Sequence, residues 1–163
     1  MKKRRLLPIT ERKRVSAEKR DEYISILSEM VNCKTVYTRD GENAEEYKKF
    51  YSVIENAFPN ITKSAKRLTF GMGCFVYVIE GKNATKNIML MSHHDVVEAG
   101  EGWESDAFSA TLRDGNLYGR GTIDTKTPLF AELMAVEELL REEWPKKRRS
   151  PSPRLPRRRH GGT

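Results

Sequence analysis

The sequence predicts an α/β domain, and three observations carry that prediction. Two stretches with helical hydrophobic spacing come first. Short runs rich in β-branched and aromatic residues follow, separated by Gly and Asp/Asn turns. A long helical stripe then starts at Thr127-Pro128, downstream of the continuous apolar run Ile88-Met89-Leu90-Met91. Helices, then strands, then a helix packed on a buried strand make an α/β layer architecture, and 163 residues are enough for one domain with a real core.

The elements follow in order. Residues 1–15 are a basic lead with Pro8 and little periodicity, expected to be flexible. From Ser16 the spacing predicts a helix, with Tyr23, Leu27 and Met30 at i, i+4 and i+7, and Ile24 and Val31 alongside. Asp40-Gly41 marks a turn. A second helix is predicted over roughly 43–58, with Tyr47, Phe50, Tyr51, Ile54, Ala57 and Phe58 on one face, ended by Pro59-Asn60. Leu68–Phe70 and Cys74–Ile79 read as strands joined at Gly71-Met72-Gly73. Residues 83–87 are a polar connection, and Ile88–Met91 has the mark of a strand buried on both faces. Short strands are predicted at 108–112 and 116–118 around Asp114-Gly115. In the last helix Thr127 is the expected cap and Pro128 suits the first turn, with Leu129, Leu133, Val136, Leu140 and Trp144 forming one stripe. No internal repeat is evident.

The net charge of +7 divides unevenly. Residues 145–163 carry eight Lys/Arg and no acid, and residues 1–20 carry nine Lys/Arg and two acids. The remaining segment, 21–144, holds 13 basic and 21 acidic residues, a net of −8. The basic balance thus describes two appendages and not a nucleic-acid-binding body. Charged residues make up 33% of the chain and mean hydropathy is −0.68, and no run approaches the ~20 apolar residues of a membrane span. The start lacks the roughly 7–15 apolar residues of a secretory signal. Two cysteines, Cys33 and Cys74, form no CxxC and read as free thiols. A cytoplasmic location is the expectation.

Two stretches carry chemistry. The first is MSHHDVVEAG, residues 91–100, holding two of the three histidines. On an extended chain His93 and Asp95 share one side and His94 faces the other. A neutral imidazole is a good zinc ligand, and best so when a carboxylate holds its second nitrogen. Surface histidines beside an acid are the plain alternative. The second stretch is DGNLYGRGTIDTK, residues 114–126. Its glycines mark tight turns or close backbone approach. Asp124, just before a helix start, is either a first-turn acid or a carboxylate aimed at a metal. No phosphate loop is present.

Together the two stretches are far more specific. His93, Asp95, Val96, Val97, Gly102, Trp103, Phe108, Ser109, Asp114, Gly115, Gly119, Arg120, Gly121, Asp124 and Lys126 fall in order and at the right spacing. The pattern resembles the aminoacylase/carboxypeptidase G/dipeptidase family of di-zinc metallopeptidases, over roughly residues 21–144 and its amino-terminal portion only. The resemblance implies a three-layer α/β/α sandwich of the zinc-exopeptidase type, with a mixed, mostly parallel sheet that is incomplete at the C-terminus. It implies His93 as a terminal ligand of one zinc, Asp95 as the catalytic-site carboxylate orienting that imidazole, and Asp124 as a ligand bridging two zincs, with a bent peptide link to Thr125. It implies a metal-bound water as nucleophile, and a peptide or N-acyl amino acid as substrate, cleaved at its amide bond. Two Zn²⁺ belong to a complete site, although cobalt or manganese can fill similar ligand sets. His94 holds the variable position and is not counted as a ligand. Ala107 stands where the family usually has proline, Ala110 where it usually has glycine, and Thr125 where many members have a second aspartate.

The pattern stops short downstream. The family's general-base glutamate, its remaining metal ligands and its second, smaller domain are not identifiable. Glu142-Glu143 ends a helix instead of following a strand, and Glu137-Glu138 fails for the same reason. After Trp144 the composition turns to Arg, Pro and Ser. The reading is therefore residues 16–144 as the amino-terminal part of a zinc-peptidase catalytic domain, inactive as given, with 145–163 a disordered or out-of-frame tail. The alternative is a non-catalytic interaction protein whose basic tail binds nucleic acid or an acidic partner through phosphate contacts. Under the first reading no membrane or nucleic-acid partner is expected, and a homodimer is compatible with the complete enzyme.

Overall fold

A computed structural model describes residues 15–39, 43–71, 73–81 and 85–142. The basic lead (apart from Val15), Asp40-Gly41-Glu42, Met72, Lys82 and the first two residues of the polar connection, Glu143, Trp144 and the Arg/Pro/Ser tail with His160 lie outside the described residues. Among those described, four helices and two small sheets form one mixed α/β unit. No described helix is long and apolar enough to cross a membrane.

Helix α1 spans Ala17–Asn32, and the Ser16 side chain accepts a hydrogen bond from the Lys19 amide at 3.3 Å, satisfying one of the orphan donors of the first turn. Helix α2 spans Ala44–Ala57 and buries Tyr47, Phe50 and Ile54, three positions of the expected stripe. Pro59 does end α2, but it also opens a short helix, α3 (Pro59–Ser64), that the spacing did not announce. Proline suits a first turn because its missing N–H would have no partner there. The Glu137 carboxylate, only 6% exposed, accepts from the Asn60 and Ile61 amides and the Asn60 side chain at 2.6–3.0 Å. Glu137 is thus not an exposed helix-end acid but the anion that satisfies the start of α3.

Helix α4 spans Thr127–Arg141. Thr127 is already helical, and its hydroxyl donates to the Thr122 carbonyl, so it does not cap the helix as expected. Leu129, Phe130 and Met134 of α4 meet Met30, Cys33, Phe50, Ile54, Phe58 and Ile61 in one core. Tyr23 crosses to α4, donating to Glu138 at 2.6 Å and packing edge-on against Phe130.

Strands β1 (Lys66–Phe70) and β2 (Cys74–Val78) form an antiparallel hairpin, with Leu68 opposite Val76. Strands β3 (Thr111–Arg113) and β4 (Asn116–Tyr118) form another, later in start than the expected 108–112. The turn between them places Asp114 and Gly115 both at positive φ, the pattern of a tight hairpin turn.

The expected mixed, mostly parallel sheet does not assemble among the described residues. Ile88–Met91 belongs to no strand, and its side chains are 90%, 77%, 55% and 77% exposed. A run apolar on both faces needs strands on its edges and layers above and below, and the described residues supply neither. The parallel component is a bridge between Val36 and Val96. There the Val96 amide donates to Thr35 O at 2.9 Å, and the Tyr37 amide donates to Val96 O at 3.1 Å.

Candidate metal centre

The bridge at Val36 fixes the backbone that carries the His-His-Asp stretch. The Thr35 hydroxyl donates to His94 O at 2.5 Å, and the Tyr47 hydroxyl donates to Thr35 O at 3.3 Å. His93 and His94 then point to opposite sides, as strand alternation requires. His94 is 8% exposed and sits among Phe50, Tyr47, Phe75 and Tyr51, with ring centroids 4.7–6.1 Å away. Burial pushes its pKa down to about 4, so the ring is neutral. It is a core residue and takes no part in the cluster around His93.

His93 faces the open side. Its Nδ1 lies 3.0 Å from Asp95 O and 3.3 Å from Asp95 Oδ1, and its Nε2 lies 3.0 Å from Asp124 Oδ1. The three residues named from the sequence therefore meet. Desolvation works against the charged imidazole, but the hydrogen bonds and charges of Asp95 and Asp124 outweigh it and hold the His93 pKa above its ordinary value.

Asp124 arrives from the kinked Thr122–Lys126 turn preceding α4, where Asp124 and Thr125 hold non-helical backbone angles. The Asp124–Thr125 peptide is cis, in accord with the bent link expected there. The Thr125 hydroxyl donates to His93 O at 2.6 Å, tying the two stretches together. Gly121 has φ +86°, and a Cβ on it would lie 2.7 Å from Val96 Cγ1. A Cβ on Gly119 would lie 2.5 Å from Val31 Cγ1. Glycine is required at both points so that the turn can press against the His-Asp segment and α1.

Lys126 locks the turn from below. Its side chain is 0% exposed, and its ammonium donates to Met30 O at 2.9 Å and Cys33 O at 2.7 Å, at the C-terminal end of α1. Burial lowers its pKa to about 8. On the opposite wall the Arg120 guanidinium and the Trp103 indole both donate to Ala99 O at 2.8 Å and stack 5.4 Å apart. His93, Asp95, Trp103, Arg120 and Asp124 lie on the walls of an open cleft of about 340 Å³.

The donor set fits a cation. Asp95 occupies Nδ1, which leaves Nε2 as the ligating nitrogen, and a neutral nitrogen and a carboxylate oxygen 3.0 Å apart can share one ion at about 2.0–2.2 Å from each. The set is also small: among the described residues no three His, Cys, Asp or Glu side chains converge to hold a metal. Glu142 lies exposed at the end of α4, and Glu138 is engaged with Tyr23 and Lys19. Sequence reasoning missed Thr35 and Lys126 as supports. The Thr-Val-Tyr run after α1 was a strand signal for the first, and a lone lysine entering an apolar helix was a burial signal for the second.

The His-x-Asp stretch is thus tied, through His93 O, to the aspartate turn that leads into α4. Residues 89–150 match the family model for peptidase family M20/M25/M40. An N-fatty-acyl-amino acid synthase/hydrolase, PM20D1.1 of Danio rerio, is 32% identical over 132 residues, covering 77% of this chain and 26% of the relative. A probable carboxypeptidase S-like 1 of Dictyostelium discoideum is 31% identical, covering 74% and 26%. A succinyl-diaminopimelate desuccinylase of Verminephrobacter eiseniae (strain EF01-2) is 49% identical over 61 residues, 36% of this chain and 15% of that one. The crystal structure of human carnosine dipeptidase 1 superposes with a TM-score of 0.57 at 23% identity, over 77% of this chain and 30% of that one. The chain belongs to peptidase family M20/M25/M40 as a partial member, and spans about a quarter of the length of the first two of these relatives.

Proposed function

We propose that residues 16–142 form part of the active site of a metal-dependent hydrolase that cleaves the amide bond of a peptide or N-acyl amino acid. The observation that carries this is the convergence of His93 Nε2 and Asp124 Oδ1 at 3.0 Å, with Asp95 holding the other imidazole nitrogen. His93 and Asp124 would hold the cation, zinc being the first choice for one imidazole and one carboxylate. When bound, such an ion acidifies water and polarises an amide carbonyl. Asp95 fixes the ring orientation of His93 and raises its basicity. The Thr125 hydroxyl and buried Lys126 keep the Asp124 turn in register with His93. The cleft wall of Trp103 and Arg120 limits the approach of water and substrate from that side.

Two donors are fewer than the three or four protein ligands a zinc ion takes. The described residues therefore supply one corner of the centre, and turnover needs further ligands and a general base from other polypeptide. In the same reading Ile88–Met91 is an inner strand of a three-layer sandwich whose neighbouring strands also come from outside residues 15–142. The reaction would take place in the cytoplasm.

The test is a chimera in which residues 16–142 replace the matching segment of the Danio rerio relative. Hydrolysis of an N-acyl amino acid, abolished by His93→Ala or Asp124→Ala, is the expected result. A chimera that folds and binds zinc but hydrolyses nothing would reject the reading, as would activity indifferent to His93.

A further inference from the structure

The two donors of the candidate metal centre are open to solvent. The His93 side chain is 51% exposed and that of Asp124 82%. Their Nε2 and Oδ1 atoms lie 3.0 Å apart, and Asp95 is spent on the other imidazole nitrogen. A zinc ion closed off by protein takes four donors. Among the described residues no group of three His, Cys, Asp or Glu side chains forms a metal site. One chain therefore offers an ion half of a closed set.

The surface beside the donors is apolar. Ile123, next to Asp124, is 87% exposed, and Val97, two residues beyond Asp95, is 70% exposed. Both line the same cleft as His93 and Asp124. Large apolar side chains held in water next to ligating groups gain free energy when another surface covers them.

We propose that a second copy of this chain covers this face about a two-fold axis, and that one zinc ion is shared between the His93–Asp124 pairs of the two copies. The inference rests on the reading that these two residues take a cation. A two-fold axis repeats every donor, so one surface serves both sides of the interface. Two imidazoles and two carboxylates then meet one ion, and the count matches a closed four-donor site. The two Asp124 carboxylates also bring two negative charges to a divalent ion. Without that ion, Asp95 and Asp124 of one copy would face their counterparts, and like charges across an interface oppose association. Pairing through this face therefore requires the metal. Four protein donors keep no position for water or substrate. The pair is thus a resting form of the site, opened when other polypeptide takes the place of the second copy.

The test uses the full chain, freed of metal with EDTA, dialysed and titrated with Zn²⁺ alone. Native mass spectrometry reads mass and bound metal together, and sedimentation velocity reads mass in solution. Association that persists in EDTA is the baseline against which zinc is read. The expected result is a complex of two chains with one zinc, reversed by EDTA. His93→Ala and Asp124→Asn should each abolish it, with folding checked by circular dichroism. Ile123→Lys keeps both donors but sets like charges against each other across the axis, and should weaken zinc-driven pairing at least about tenfold. Cys74→Ser removes the exposed thiol and His160→Ala the histidine of the tail, and both should pair as the unaltered chain does. Zinc-driven growth past two chains, pairing that survives in His93→Ala, pairing indifferent to Ile123→Lys, or pairing lost in Cys74→Ser or His160→Ala would each overturn the proposal. If a variant does not fold, the zinc-to-chain ratio and mass of the unaltered chain decide alone. One zinc on a chain that stays monomeric, lost in His93→Ala, would overturn the pairing and leave the hydrolytic reading standing. No zinc at His93 in any form would remove the donor pair on which both rest.

Discussion

Replacing Lys126 by methionine pits two large effects against each other. The ammonium is 0% exposed, and the effective penalty for burying such a charge is several kcal/mol, which favours the variant. Against it stand two charge-assisted hydrogen bonds to Met30 O and Cys33 O, each worth about 1.5–3 kcal/mol. A cation at the C-terminal end of α1 also adds about 0.3–1 kcal/mol, or more when partly buried. The two carbonyls do not lose everything. Cys33 O keeps the Thr35 amide at 2.9 Å, while Met30 O keeps only the Cys33 amide at 3.4 Å. Methionine matches the lysine stem in length and opens little cavity. The hydrogen bonds should win narrowly, so Lys126→Met is expected to destabilise by about 2 kcal/mol, or about 6–10 °C in Tm for a domain of this size. Urea unfolding followed by far-UV circular dichroism and tryptophan fluorescence reads this directly. Equal or greater stability of Lys126→Met, with an unchanged urea slope, would refute the claim that the lysine anchors the turn.

Ala110 holds φ +48° where the family pattern has glycine. A left-handed alanine costs about 1–2 kcal/mol, but glycine gives back about 0.5–1 in chain entropy and about 0.8 of methyl burial. Ala110→Gly is therefore expected within about 0.5 kcal/mol of neutral, while the β-branched Ala110→Val should lose about 2 kcal/mol in thermal melts. The exposed run Ile88–Met91 should drive self-association, and Met89→Lys with Met91→Lys should raise the monomer fraction in analytical ultracentrifugation. Hydrogen bonds from Lys19 and Tyr23 lower the Glu138 pKa. Its stabilising effect is then complete above the ordinary glutamate value near 4.5 and is lost as pH falls through the lower folded value. Glu138→Gln should flatten the acid limb of a Tm-against-pH curve.

The local structure was legible where period and chemistry coincide. The α1 and α2 stripes, the Cys74–Val78 strand and the Asp114-Gly115 turn all lie where spacing and turn residues put them. The α3 start at Pro59 was hidden because one proline both ends a helix and opens another, and the deciding group, Glu137, is 77 residues away. Ile88–Met91 has strand composition but no strand pairing. A both-faces-buried pattern states a need for neighbours and cannot supply them. That His93, Asp95 and Asp124 belong together was legible only through the family resemblance: alternation and a place before a helix left each of them open to a plain reading, and the structure brings the three side chains together. The burial of Lys126 and the aromatic seat of His94 were not legible, since both depend on which helix packs behind the strand.

The account rests on His93 and Asp124 sharing one cation. The most direct measurement is the imidazole ¹⁵N spectrum of the uniformly labelled full chain during titration with Zn²⁺, which separates its three histidines. The account predicts that zinc moves the Nε2 resonance of His93 and leaves Nδ1 as the protonated nitrogen held by Asp95. It also predicts no direct shift at His94, and loss of the His93 response in Asp124→Ala. Zinc that leaves His93 unmoved, or moves it equally in Asp124→Ala, would contradict the shared-cation claim.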